Sequence, residues 1–442
     1  MKHPLIILAA LLLAPLAALT AAEAPKQKPN IIFILADDLG LDGVGCYGAD
    51  KHPTPQIDKL AASGMRFETC YAAPLCGPSR CVLMTGRYAF RTGGLQNQSW
   101  RPGGPGAKSK DEKPVAMLLK QAGYATCESG KWRQVGETPK DWGFDEYCTD
   151  PTAGGWYWEN HYLRNGETVN VSKATYNPDI IQQFSLDFIR RHASGDQPFF
   201  LYYSMHLVHK PTLHTPTSPP KDGPERYQDN IAYMDKQVGE LVAELDKLGL
   251  REKTLVFFAG DNGTAAGYPS PIRGRMINGC KASMLEGGSR VPLIASWPGT
   301  TPAGKTSPDI VNFSDMLSTF VELAGAEMPK DFTYDSRSIA PQLRGEKGNP
   351  RTWAYVQLGP RWFVREQGWK MNEQGELFDM SDAPFTEKPV AASEDTETSK
   401  AARARLAAVL AELKPASGKT GLVPGNKPKK KKQQQAEKAD AS

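Results

Sequence analysis

Cys76-Gly77-Pro78-Ser79-Arg80 puts a sulfur nucleophile, a helix-starting proline and a fork of cationic donors within one short stretch. The apolar residues 81–84 that follow read as a short helix. The sulfur then sits at a helix N-terminus, where outward-pointing N–H groups attract anions. Pro78 has a fixed φ suited to a first helical turn. Arg80, on that turn, can hold an oxyanion. Two acidic clusters accompany it, Asp37-Asp38 and Asp261-Asn262. Together they offer hard oxygen ligands and concentrated negative charge, a donor set for Ca²⁺ or Mg²⁺ rather than Zn²⁺. Each has a plainer reading when taken singly: a structural cysteine ahead of a helix, and Asp residues forming turns at strand ends.

Such residues need a scaffold, and the flanking sequence supplies one. Asn30–Ala36 and residues 254–258 are near-continuous apolar runs of strand length, suited to strands covered on both faces. Residues 199–203 and 291–297 read the same way, the latter with Pro292 near its start. Between them, residues 227–248 repeat apolar side chains at helical spacing: Ile231, Met234, Val238, Leu241 and Leu245. Residues 114–121 and Asp315–Leu323 are shorter helical patterns. Alternating strands and helices predict an α/β fold with a mostly parallel central sheet flanked by helices. Sites in such sheets lie at the carboxyl ends of strands, where both acidic clusters fall. Beyond about residue 345 come short strand candidates at 353–356, 362–364, 369–371 and 375–380, then a helix near 400–413.

The motifs taken together resemble the type I, formylglycine-dependent sulfatases of the alkaline phosphatase-like superfamily. Cys-x-Pro-Ser-Arg matches the family signature. Residues 29–40 resemble its first strand and metal-binding turn. Thr85-Gly86-Arg87-Tyr88, Gly130-Lys131-Trp132, His209-Lys210-Pro211, Gly260-Asp261-Asn262-Gly263 and the segment from Lys281 to Gly288 resemble further motifs in the family's order. The similarity covers roughly residues 29–385. It implies an alkaline phosphatase-like α/β domain with a small C-terminal antiparallel α+β subdomain. It also implies that a maturation enzyme oxidises Cys76 to formylglycine, whose hydrate attacks sulfur, and that Asp37, Asp38, Asp261, Asn262 and the residue-76 side chain ligate Ca²⁺, with Mg²⁺ the alternative. Arg80 is expected to contact the nucleophile and the metal-site carboxylates. Lys131 and Lys281 are expected to neutralise sulfate oxygens, and His209 to bind sulfate or protonate the leaving oxygen. Arg133 departs from the family's Gly-Lys-Trp-His. Arginine cannot act as a base at neutral pH but holds anions well, so Arg133 is read as a substrate contact. The expected activity is hydrolysis of sulfate esters on a carbohydrate. Phosphomonoester or phosphodiester hydrolysis on the same fold is one alternative. A sulfated-glycan-binding protein with impaired turnover is the other.

Composition sets the remaining bounds. The 442 residues carry a net charge of +4, with 40% hydrophobic and 23% charged residues. Residues 414–442 hold eight lysines against Glu437 and Asp440, a balance of +6 that leaves −2 for the rest. The basic character therefore belongs to a tail, and no nucleic-acid partner is expected. Residues 1–24 read as a signal peptide: Lys2 and His3, an apolar stretch at 5–19, and Ala22-Glu23-Ala24. That stretch is shorter than the ~20 residues needed to span a bilayer, so a periplasmic or secreted protein without a stable span is expected. The predicted organisation is residues 1–24 signal peptide, 25–345 catalytic domain, 346–414 small subdomain and 415–442 disordered lysine-rich tail. The seven cysteines fit no zinc spacing, and some could be bridged. The aromatic cluster Trp156, Tyr157, Trp158, His161 and Tyr162 suits either sugar stacking or core packing.

Overall fold

A computed structural model describes residues 28–97, 106–132, 134–150, 157–158, 161–172 and 174–419. The predicted signal peptide, Arg133, Trp156 and most of the lysine-rich tail lie outside the described residues. Ten strands form the larger sheet: β1 (Asn30–Ala36), β2 (Met65–Tyr71), β3 (Ala125–Gly130), β4 (Glu146–Thr149), β5 (His161–Arg164), β6 (Glu167–Asn170), β7 (Phe199–Ser204), β8 (Thr254–Gly260), β9 (Arg290–Ser296) and β10 (Lys305–Asn312). Their spatial order is β10-β2-β9-β8-β1-β7-β3-β4-β5-β6. The centre, β8-β1-β7-β3-β4, is parallel throughout. β9 runs antiparallel to both neighbours, and β5–β6 is an antiparallel hairpin at the far edge.

The apolar runs become the central strands because both faces are covered. Ile31, Phe33 and Leu35 of β1 pack with Leu83, Met84, Leu119 and Phe320 on one face. Ile32 and Ile34 pack with Ile57, Phe188, Met234 and Leu241 on the other. Alternate side chains point to opposite faces of a strand, so a strand buried on both sides must be apolar at every position. The helices Cys76–Thr85, Val115–Gln121 and Asp315–Leu323 lie on the first face; Pro55–Ala62, Asn177–Arg191 and Arg226–Lys247 lie on the second.

The smaller sheet is antiparallel: β11 (Trp353–Leu358), β12 (Arg361–Glu366), β13 (Trp369–Asn372), β14 (Leu377–Asp379) and β15 (Lys388–Val390). The helix Glu397–Leu413 packs on it through Leu406, against Val364 and Met371. Buried charges tie the two sheets together. Glu286, with no exposed surface, accepts from Tyr71 Oη at 2.7 Å and pairs with Arg290 at 3.2 Å and Arg365 at 3.4 Å. Lys370 of β13 donates to the Met284 carbonyl at 2.7 Å.

All seven cysteines are free. Among the described residues, no helix is long and apolar enough to cross a membrane.

Candidate active site

In-register parallel strands end at one level. Ala36 of β1 pairs with Gly260 of β8, Leu35 with Ser204 of β7, and Ser204 with Gly130 of β3. The next residues of these strands, Asp37, Asp261, Lys131 and Met205, therefore emerge side by side at the carboxyl edge. Backbone bonds fix them there: Asp261 N–H to the Ala36 carbonyl at 2.9 Å, Lys131 N–H to Ser204 at 2.7 Å, and Asp37 N–H to Leu207 at 2.9 Å. Gly130 has φ +120°, and a Cβ there would lie 1.8 Å from the Ser204 carbonyl oxygen. Only glycine lets β3 and β7 close at this point.

Cys76 opens its helix at this edge, and its thiol meets Asp37 Oδ1 at 3.4 Å and Asp38 Oδ1 at 3.6 Å. Burial, with Asp261 adding to it, pushes the thiol well above its ordinary pKa. An uncharged thiol is a poor nucleophile, so Cys76 as it stands is not poised for thiolate chemistry. Its sulfur marks where the oxygens of a converted side chain would sit.

Arg80, one helical turn on, is fully buried. Its Nη2 and Nε donate to Asp261 Oδ2 at 2.8 and 3.1 Å, and its Nη1 to the Lys131 carbonyl at 3.0 Å, to Tyr202 Oη at 3.4 Å and to Ser204 Oγ. Tyr202 and Ser204 were silent in the sequence because they sit inside an apolar strand run. Their alternation with Phe200 on the face of the Cys76 helix is the only signal of their position.

The cations face the acids. Lys131 Nζ, fully buried, donates to Asp37 Oδ2. Lys281 Nζ lies 2.8 and 2.9 Å from the two Asp38 carboxylate oxygens and 3.2 Å from His209 Nε2. Burial resists ionisation of Asp38, but neighbouring positive charge holds it below its ordinary value. His209 could contribute only while protonated. Burial, with Lys131 and Lys281 adding to it, takes His209 down to about 3, so its ring is neutral and the two lysines hold Asp38 ionised. The Nδ1 of His209 contacts the Lys210 carbonyl and so carries the proton, leaving Nε2 as the acceptor from Lys281. The His209 and Lys281 side chains retain 15% and 14% exposure while Asp37, Asp38 and Lys131 retain none, so solvent reaches the cluster from the His209–Lys281 side.

The donor set fits a hard divalent cation. Asp37, Asp38, Cys76 and His209 present ligand atoms within 4.8 Å of one another. The Asn262 amide donates to Asp38 Oδ1 and the Gly263 carbonyl, both at 2.9 Å, which leaves its buried Oδ1 without a partner among the described residues. Burial and the charge of Asp37 raise Asp261 to about 6, a crowding of carboxylates that a bound cation relieves. The geometry brings His209 beside the sequence-predicted set, with its Nδ1 engaged by the Lys210 carbonyl and its Nε2 by Lys281. It places Asp261 one step back, with Oδ2 on Arg80 and Oδ1 accepting from the Asp38 N–H at 3.0 Å.

Further neighbours border the cluster. Tyr157, 1% exposed, donates to the His209 carbonyl at 2.6 Å and lies 3.1 Å from that of His206. His206 is buried on Asp150 Oδ1 at 2.6 Å, a structural contact. Tyr157 and Trp158 belong to the core, with Trp158 stacked on His214 at 4.8 Å between centroids, so core packing accounts for both. Glu128 on β3 is fully buried, and neither carboxylate oxygen has a partner among the described residues. Burial first, then the charge of Asp150, raises its pKa well above the ordinary 4.5. Below pH 4.5 it is protonated folded or unfolded and carries no ionisation penalty. As pH rises through 4.5 the unfolded chain ionises and the folded one resists, so stability falls until the folded pKa is passed. Glu128→Gln is expected to stabilise the protein by ~1–2 kcal/mol at pH 8, with the gain fading toward pH 4.5. Urea denaturation across that range checks this; a variant less stable than wild type at pH 8 means that Glu128 is paired.

Comparison with known proteins bears on the family. The family model described as Sulfatase matches residues 29–326. The chain is similar to N-acetylgalactosamine-6-sulfatase of Canis lupus familiaris, 34% identical over 365 residues covering 76% of this chain and 69% of the relative. It is similar to arylsulfatase A of Homo sapiens, 33% identical over 374 residues covering 76% and 72%. Among solved structures, Ps i-CgsB superimposes with a TM-score of 0.77 at 28% identity, covering 94% of this chain and 98% of that one, and it has also been solved in complex with k-i-k-neocarrahexaose. The chain belongs to the sulfatase family of sulfuric ester hydrolases, built on the alkaline phosphatase-like fold.

Proposed function

We propose that this enzyme cleaves sulfate esters of a sulfated carbohydrate, with residue 76, converted to formylglycine, as the nucleophile and a divalent cation, Ca²⁺ by family resemblance, beside it. The observation that carries this reading is the ring of opposed charges about one side chain. Asp37 and Asp38 lie 3.4 and 3.6 Å from the sulfur, with Lys131, Lys281 and Arg80 beyond them. The carbohydrate half is supported by relatives: one is named for N-acetylgalactosamine 6-sulfate, and a structural neighbour was solved with a neocarrahexaose.

A hydrated formylglycine supplies a hydroxyl that attacks sulfur and a second that allows the residue to reset. A divalent cation would be held by Asp37, Asp38 and Asn262, with Asp261 behind them on Arg80, and would supply positive charge at sulfate oxygens. Arg80 orients Asp261 through two donors to one oxygen, and its third branch, on the Lys131 carbonyl, fixes where Lys131 begins. Lys131 is drawn to Asp37 in the free enzyme and turns its charge to the ester when sulfate enters. On the exposed side Lys281 Nζ donates to the neutral His209 Nε2, so the proton of this pair rests on Lys281, next to the solvent into which the alcohol would depart. Mass spectrometry of the Cys76 peptide, with sulfate release measured on a panel of sulfated saccharides, tests the reading. An unmodified Cys76 in an active preparation overturns it.

Tyr157 holds the backbone that carries His209, so Tyr157→Phe is expected to lower kcat about tenfold with KM little changed and a stability loss of ~1 kcal/mol. Steady-state kinetics beside thermal melts check it; an unchanged kcat removes Tyr157 from the account. Arg133 is proposed to contact substrate: Arg133→Ala is expected to weaken ester binding, and Arg133→His to raise turnover. Both variants matching wild type would place that side chain outside the reaction.

A further inference from the structure

A cavity of about 360 Å³ is walled by Leu41, three residues beyond Asp38, and by the loop that runs from Asp261-Asn262 to Lys281. Four arginines line it, Arg66, Arg273, Arg275 and Arg290, with Tyr47 and Phe385; Glu68 is the acidic member of the wall. Two of the cations are already matched. Arg275 is bidentate to Asp382 at 2.8 and 2.7 Å and stacks 4.1 Å from the Phe385 ring centroid. Arg290 pairs with Glu286 at 3.2 Å. The other two are not. Arg66 gives Nη1 to a neutral partner, the Cys46 carbonyl, and lies 5.8 Å from the Tyr47 ring centroid.

Arg273 is the most telling. Its backbone has φ +50°, a left-handed conformation that disfavours any residue with a Cβ. Asp50 holds it there, accepting from the N–H groups of Arg273 at 3.0 Å and Gly274 at 2.7 Å. The guanidinium so positioned is exposed and has no partner among the described residues. Strained backbone that presents an unmatched charge beside a cavity marks a ligand contact more often than a random surface arginine does.

We propose that this cavity binds a second anionic group, a sulfate or carboxylate, on the same glycan chain whose ester enters the catalytic cluster. The proposal rests on the sulfated-carbohydrate reading above and extends it from a single ester to a polyanionic chain. Guanidinium forks match the oxygens of sulfate and carboxylate, and Tyr47 and Phe385 offer faces to a sugar ring. A small aryl sulfate carries no second anionic group for this cavity to hold.

The test compares 4-nitrophenyl sulfate with size-defined chondroitin-6-sulfate and iota-carrageenan hexasaccharides, using wild type, Arg273→Ala and Arg273→Glu. KM for at least one hexasaccharide is expected to rise about three- to tenfold in the alanine variant and further in the glutamate variant. Turnover of the aryl sulfate should be unchanged, and the salt dependence of hexasaccharide KM should become shallower. Unchanged KM for both hexasaccharides, or an equal loss on the aryl sulfate, overturns the proposal. If wild type releases sulfate from none of the three, the functional reading fails instead. Calorimetric titration of the same hexasaccharides into wild type and Arg273→Glu then decides the cavity: tighter binding by wild type supports it, and equal or absent binding overturns it.

Discussion

Cys76→Ser is expected to abolish catalytic sulfate release while leaving the fold intact. Serine is smaller than cysteine by little and keeps a donor toward Asp37 and Asp38, so the buried helix start tolerates it. A serine hydroxyl could at most be sulfated once; lacking a second hydroxyl, it cannot reset by expelling sulfate. The loss should exceed about a thousandfold in kcat, with any residual reaction limited to one equivalent per enzyme. Rapid-quench measurement of sulfate or alcohol release checks both parts. A serine variant that turns over like wild type would falsify the formylglycine mechanism.

The second large effect is expected at Asp261. Alanine there would strip Arg80 of its near carboxylate, leaving only Asp37 at 3.8 Å, and cost about 3–5 kcal/mol of buried charge pairing, confounding activity with folding. Asp261→Asn keeps an oxygen for the Asp38 N–H or for Arg80 while removing the negative charge. It is expected to lower activity about a thousandfold, the scale of several kcal/mol of lost charge stabilisation, with a much smaller drop in melting temperature. Chelation of wild type should produce a similar loss, restored by Ca²⁺. Full activity in both the chelated enzyme and the asparagine variant would remove a divalent cation from the mechanism.

The parts of the fold that sequence discloses are those with one strong physical demand. β1, β7 and β8 are apolar at nearly every position because both faces are buried, and the helix Arg226–Lys247 shows its apolar stripe because one face is wet. β2 was hidden: its Met65–Tyr71 run mixes Arg66, Glu68 and Thr69 with apolar residues, since it lies one strand in from the edge. β10 begins with Lys305 and contains Pro308, which a sheet accepts only because this is an edge strand with a register shift between Ser307 and Ile310. The short β15 carries no pattern at all. At the candidate site, the charged residues were legible as motif members because they follow strands directly. Ser204 and Tyr202 were not, since each looks like ordinary core until the neighbours across the sheet are known; Glu128 was not, since nothing in the sequence shows that its charge is buried; and for Tyr157 the sequence left sugar stacking and core packing equally open. Arg273 was passed over for a different reason, since nothing in a linear sequence distinguishes a matched surface cation from an unmatched one.

The complete burial of Cys76 imposes an order of events on the life of the chain. Any enzyme that converts this residue must reach it before the folded protein closes over it. The closing parts come late: Asp261 and Lys281 are synthesised well after Cys76, and the Ala282 N–H that bonds the Pro74 carbonyl at 2.8 Å later still. At ordinary synthesis rates of ~5–20 residues per second, the roughly 200 intervening residues leave on the order of 10–40 seconds in which the segment cannot yet be sealed. Under the formylglycine reading proposed above, specific activity of a preparation would be the outcome of a race between maturation and folding. Slowing translation, or delaying folding with a holdase, should then raise the converted fraction, whereas adding a maturation enzyme to finished protein should not.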